Sequence, residues 1–237
     1  MARAGADMSA RGSTAVMARR REPPDSLEFF PTPPWATRAL LRHVLPSALG
    51  GFHICSAWDP ACGEGHMVEV LREEIALVHA SDVFDYGRGY AVADFLDPGT
   101  RMSPGVDLIA TNPPFRPALR FAHRALEQAP VVALLLRTQW LEGEERYDGL
   151  FRERQPMVFA PFVERVPMTK GVWDPKASTA TAYAWFVWVR GVAPSAPVWI
   201  PPGCRRVLTR RDDAARFGMR SDAPLLMAAE EPDGPLA

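Results

Sequence analysis

Short apolar runs alternate with longer amphipathic stretches along the middle of this 237-residue chain, the pattern of an α/β fold. Phe52–Trp58 reads as a first strand ending at Asp59-Pro60, and a helix is expected from Gly65 to about Glu74. Ala76–Ser81 reads as a second strand and Tyr90–Ala93 as a third. Val106–Ala110 reads as a fourth, running into Thr111-Asn112-Pro113-Pro114-Phe115. Pro117–Gln128 has helical spacing, Val131–Leu136 suits a fifth strand and Glu144–Arg154 another helix. Met157–Val166 and Thr181–Arg190 read as two late strands joined by an irregular segment. Each polar or turn cluster falls just after the carboxyl end of a strand, where open α/β sheets bind ligands.

Outside this pattern the ends differ. Residues 1–25 mix Ala, Arg, Gly and Ser without periodicity and are expected to form a disordered arm; 26–220 is the expected domain and 221–237 a weakly ordered tail. Net charge is −1 and 23% of residues are charged, which argues against both a disordered chain and a polycation. Cys55, Cys62 and Cys204 lack CxxC spacing and a histidine cluster, so neither a disulfide framework nor a metal site is expected. No apolar run approaches the roughly 18 residues a bilayer requires, and no apolar segment follows the N-terminal arginines. The expectation is a soluble protein of the cytoplasm.

Asp59-Pro60-Ala61-Cys62-Gly63-Glu64-Gly65-His66 joins the first strand to the first helix. Gly63 and Gly65 permit a tight turn and a close approach to a ligand. The loop lacks the third glycine of a dinucleotide fingerprint and the Gly-Lys-Ser/Thr of a Walker loop, so a pyrophosphate is not the expected ligand. An amino-acid-like ligand needs neither feature. Asp59 is placed to face the ammonium of a methionine portion such as that of S-adenosylmethionine (SAM). Asp82, about 23 residues on, is placed to accept from a ribose diol. Asp94-Phe95 offers a carboxylate to an adenine amine and a ring to its face.

Asn112-Pro113-Pro114-Phe115 follows the fourth strand. Its two prolines fix φ and carry no backbone donor, leaving rigid acceptors. The Asn112 amide oxygen and the Pro113 carbonyl suit the two N–H groups of an exocyclic amine, with Phe115 placed to stack on a base. Such positioning requires no metal and no covalent nucleophile.

With these segments together the chain resembles the N6-adenine DNA methyltransferases of the amino-methyltransferase group, and among them small phage- and prophage-type enzymes. Asp59 to Gly65 resembles the first motif of that family and Asn112 to Phe115 its catalytic motif. Phe30-Pro31-Thr32-Pro33-Pro34 resembles an upstream segment whose threonine helps hold the methionine end of SAM. Leu136-Arg137, Trp140 to Gly143 and Thr181 to Trp188 resemble the later core, so the likeness covers about residues 28–190. It implies a Rossmann-like class I methyltransferase fold, a mostly parallel seven-stranded sheet with one antiparallel late strand. It further implies SAM as cofactor, bound by Phe30, Thr32, Asp59, Pro60, Ala61, Gly63, Gly65, Asp82, Asp94 and Phe95. Nucleic acid, DNA first, is the implied partner, with Asn112, Pro113, Pro114 and Phe115 at the reacting base.

The chain has no separate recognition domain, and the segment Pro167–Ala180 is the expected contact with the target. Lys170 and Lys176, its only lysines, would touch phosphate, and an exposed Trp173 between them would stack or wedge. Three other readings stay open at this stage: an RNA base-amine methyltransferase, a protein-glutamine methyltransferase, and a non-catalytic nucleic-acid-binding subunit on the same fold.

Overall fold

The computed structural model describes residues 28–102 and 105–218; the expected arm over 1–25 and tail over 221–237 lie outside the described residues. Seven strands build one sheet: β1 (Ser56–Asp59), β2 (Leu77–Asp82), β3 (Ala91–Val92), β4 (Leu108–Thr111), β5 (Val131–Arg137), β6 (Val158–Pro161) and β7 (Tyr183–Val189). Their order is β3-β2-β1-β4-β5-β7-β6. The pairings from β3 through β5 are parallel, and β7 runs antiparallel to both β5 and β6. One reversed late strand is thus present, as expected. The chain leaves β1 toward β2 and β3 on one side, then returns to β4 and β5 on the other. The crevice between the carboxyl ends of β1 and β4 is therefore the topological switch point, the natural place for a ligand.

Why the middle of the sheet forms is plain in β5. Val131, Ala133 and Leu135 enter one core cluster, while Val132, Leu134 and Leu136 enter the other. A strand covered on both faces reads as a continuous apolar run rather than an alternating one. One face is covered by α1 (Pro34–Ala39), which continues through a π-helical turn (Leu40–Val44) into α2 (Leu45–Leu49), and by α3 (His66–Leu71). The other is covered by α4 (Ala118–Gln128), through Phe121, Ala122 and Ala125. The Trp185 indole of β7 donates to the Ala36 carbonyl at 3.0 Å and so pins α1 to the sheet.

Shorter helices complete the chain: α5 (Glu144–Arg146) with a following π-helical turn (Tyr147–Phe151), α6 (Cys204–Leu208) and α7 (Asp213–Phe217). A buried ion cluster binds the first helix to the last. Arg38 of α1 pairs with Glu73 at 2.8 Å and Asp213 at 2.6 Å, and donates to the Leu208 carbonyl at 2.7 Å. The guanidinium is held above its ordinary pKa by the two carboxylates despite its burial, and Glu73 is lowered by Arg38 and Arg216, also against its burial.

Several bounds differ from expectation. The first strand starts at Ser56 because Phe52 is exposed. The sixth closes at Pro161, with Phe162 N–H still donating to the Tyr183 carbonyl at 3.2 Å. The helix over 144–154 is broken into a short α turn and a π turn. The helical run over 34–49 was not expected.

Candidate active site

β1 delivers Asp59 to the switch point, and the glycine loop turns from there into α3. Gly63 and Gly65 both occupy the left-handed region, at φ 52° and 87°. A Cβ on Gly63 would stand 2.4 Å from the Phe29 ring, and one on Gly65 would stand 2.0 Å from the Tyr90 hydroxyl. Both positions thus require glycine for conformation and for space. The loop is tied to the end of β2: Cys62 N–H donates to the Ser81 carbonyl (3.0 Å) and Gly63 N–H to Asp82 Oδ2 (2.8 Å).

Two buried carboxylates meet here. Asp59, 2% exposed, accepts from Ala61 N–H at 3.2 Å. Burial pushes its pKa up to about 7, and the neighbouring charge of Asp82 acts in the same direction. Asp82 is also raised by burial, against the opposing pull of the N–H groups of Gly63 and Phe84. Asp82 therefore does two things: it lines the cleft and it shapes the glycine loop.

The cleft is also lined by Pro60, Ala61, Thr32, Phe30, Asp94, Phe95, Asn112 and Pro114, which brings together most of the residues expected from sequence. Gly63, Gly65, Pro113 and Phe115 are not among its lining residues. Asp94 is exposed, and its carboxylate accepts from Leu96 N–H at 2.8 Å. Phe95 is 1% exposed and packs against Trp58 (5.2 Å, edge-on) and Phe121 (5.0 Å), so its ring belongs to the core as much as to the cleft wall.

Asn112 leaves β4 with its amide fixed. Nδ2 donates to the Phe30 carbonyl at 3.0 Å and lies 3.5 Å from the Met168 sulfur. A carbonyl needs a donor, so the nitrogen must face Phe30 and the oxygen the other way. Oδ1 is buried and has no hydrogen-bond partner among the described residues. Leaving such an acceptor unsatisfied costs about 1–3 kcal/mol, an arrangement that persists where a ligand completes it. Pro113 is buried. Phe115 stands half-buried, 5.2 Å from Phe30, with the Arg137 guanidinium 4.2 Å over its ring.

Four residues that sequence reasoning missed hold this arrangement. Glu28 Oε2 accepts from Phe115 N–H (2.5 Å) and Arg116 N–H (3.3 Å), fixing the loop that carries Asn112. Phe29 packs on Gly63 and lies 4.8 Å from Tyr86. Tyr86 and His66 line the cleft. The His66 ring nitrogen Nε2 lies 3.1 Å from the Phe217 carbonyl, to which it donates; Nδ1 is buried and has no partner among the described residues, and burial lowers the ring's pKa. Glu28 meets Phe115 across 87 positions of sequence, beyond the reach of any local pattern.

One expected contact is corrected. Trp173 is not an exposed wedge between lysines. It is 5% exposed, sits in the core cluster of the first sheet face and meets Phe217 edge-on at 6.3 Å. Lysines three residues to either side conceal an anchor: the loop is pinched by the Thr169–Val172 bridge and the indole that follows is buried. Lys170 and Lys176 are exposed and do not line the cleft. Among the described residues no helix is long and apolar enough to cross a membrane.

No protein-family model matches the sequence, and no curated protein does. Solved structures match in fold. A modification subunit of a putative type I restriction enzyme from Vibrio vulnificus superposes with a TM-score of 0.51 at 15% identity, over 74% of this chain and 48% of its own. The type I restriction-modification methyltransferase subunit from Streptococcus thermophilus gives 0.51 at 13% identity, over 70% and 46%. The chain thus spans about half the length of these neighbours. With strand order 3-2-1-4-5-7-6 and a reversed seventh strand, the chain has the Rossmann-like fold of class I methyltransferases.

Proposed function

We propose that this protein binds SAM in the cleft and transfers its methyl group to an exocyclic amine, adenine N6 in DNA being the substrate. The observation that carries the reading is the buried, unpartnered Oδ1 of Asn112, aligned by Phe30 in the wall of a cleft that also holds two buried carboxylates. SAM, when bound, supplies an electrophilic methyl on a sulfonium. A cationic, diol-bearing ligand suits the donor set: Asp59 faces the ammonium, Asp82 the ribose, and Asp94 with Phe95 the adenine, while Thr32 and Phe30 close over the methionine end.

Across the cleft, Asn112 Oδ1 and the Pro113 carbonyl accept the two N–H groups of the substrate amine. That draws the nitrogen lone pair out of conjugation and aims it at the methyl. With SAM bound, its sulfonium C–S bond would break as the N–C bond formed, and the amine's surplus proton would pass to solvent. Phe115 receives the base, extruded from a duplex to reach this depth. Two of the structural neighbours are by name subunits of type I restriction systems, which supports DNA as the polymer. Exposed Lys170 and Lys176 are assigned to phosphate.

The test is kinetic. Asn112→Ala should lower kcat by about 10²–10³, because the lost acceptor acts on the amine in the transition state. SAM affinity and melting temperature should stay near wild type. Retention of more than about a tenth of kcat would assign the amine to another group.

A further inference from the structure

A second groove lies between α1, the loop that follows β6, and α6. Trp35 and Trp173, both buried, contribute to its lining. Arg205, Arg206, Arg210 and Arg211 line it together with Glu164 and Asp174. Four guanidiniums against two carboxylates leave the groove at +2, in a chain whose net charge is −1. Positive charge is therefore concentrated here and not merely scattered.

The charges differ in how they are committed. Arg205 donates to the carbonyls of Pro175 and Ala177, and its backbone N–H to Glu164 Oε2 at 3.1 Å. Arg210 pairs with Glu73 at 2.9 Å. Asp174 accepts from the backbone N–H of Lys176 at 2.8 Å. Arg206 and Arg211 are exposed and have no hydrogen bond or ion pair with another described residue. Two planar guanidiniums held beside a groove, without a carboxylate of their own, suit bidentate contacts with phosphate.

Position adds the second argument. The loop after β6 touches the candidate active site through Met168, 3.5 Å from Asn112, and reaches this groove at Trp173. Five residues span at most about 18 Å when extended. The bridge between Thr169 and Val172 folds the loop, so the true reach is shorter. Phosphates follow one another every ~3.4 Å of helix axis along one strand, so the groove lies within about five nucleotides of a base at Asn112.

We infer that this groove holds the phosphodiester backbone of DNA flanking the target base, an inference that rests on the DNA-methylating reading above. Trp173 then serves as a buried support that positions the loop and the groove together, while the arginines make the contact.

The experiment compares wild type with Arg206→Ala/Arg211→Ala, each loaded with S-adenosylhomocysteine, binding a fluorescein-labelled 24-base-pair duplex at several salt concentrations. The double variant should bind more weakly, and the slope of log affinity against log salt should fall by about 1.8, two contacts at roughly 0.9 each. KM for DNA should rise and kcat at saturation should hold. Arg211→Glu should weaken binding further, and an unchanged melting temperature shows that each variant is folded. Equal affinity and slope in a wild type and double variant that both methylate DNA would overturn the groove and leave the function standing. Methyl transfer to RNA alone, with the same loss on RNA, would overturn DNA as the occupant. SAM binding without transfer to any nucleic acid would overturn both readings.

Discussion

Asp59 is the residue whose chemistry is most unusual. Its carboxyl is buried and its pKa stands at about 7, against an ordinary value of 3.8. The sign follows from linkage. A raised carboxyl pKa favours the protonated form in the fold, so the stability it supports is present at low pH and declines as pH rises from about 4 to 7. A cation facing Asp59 has the opposite preference and requires the ionised form. SAM affinity should therefore weaken roughly twentyfold from pH 7.5 to pH 5.5, measured by calorimetry, with a proton released on binding below about pH 7, where free Asp59 carries one. Affinity independent of pH across that window would mean that Asp59 does not face the ammonium. The acids, the glycines and Asn-Pro-Pro-Phe were legible in the sequence because each marks a strand end. Glu28 was not, since its role is a bond to a residue far along the chain, and neither was the burial of Trp173, since lysines three residues to either side suggest surface while its indole packs in the core.

Among the elements, the strands were readable wherever both faces are covered, as in β5 and β7, whose uninterrupted apolar runs leave few alternatives. The helical run from Pro34 was missed although the signal was present: a proline in the first turn, then Trp35, Ala36, Ala39, Leu40 and Val44 at helical spacing. The proline-rich segment before it reads as loop and draws attention away. Arg38 lies within that run, and its ion cluster with Glu73 and Asp213 is what binds α1, the end of α3 and α7 into one layer. Asp213→Ala should destabilise the protein by about 1.5–3 kcal/mol, because it removes two charge-assisted bonds from a buried guanidinium that keeps Glu73 and the Leu208 carbonyl. Chemical denaturation measures this directly. A change below 1 kcal/mol would show that Glu73 and the Leu208 carbonyl suffice. Since α7 also supplies the Phe217 carbonyl to His66, the same variant should loosen the cleft and weaken SAM binding.

At the scale of the whole molecule, the fold separates two tasks along one loop. The cleft at the switch point gathers buried carboxylates, which suit a cationic ligand, and the groove beside α6 gathers arginines, which suit a polyanion. Segment 28–32 and the loop after β6 cross between them, through Phe30 and Met168 at Asn112 and through the bond from Gly171 N–H to the Phe29 carbonyl at 2.9 Å. The loop that lines the groove is therefore tied to the segment that lines the cleft. Net charge near zero hides this arrangement in composition, although the groove's four arginines cluster along the chain as well as in space, all within residues 205–211. The atom that is methylated separates this reaction from every other reading of the cleft. Purified protein incubated with methyl-labelled SAM and adenine-containing duplex DNA, followed by digestion to nucleosides, should yield label in N6-methyldeoxyadenosine and nowhere else. Label in methylcytosine, in protein glutamine, or in no product while SAM remains tightly bound would contradict the account.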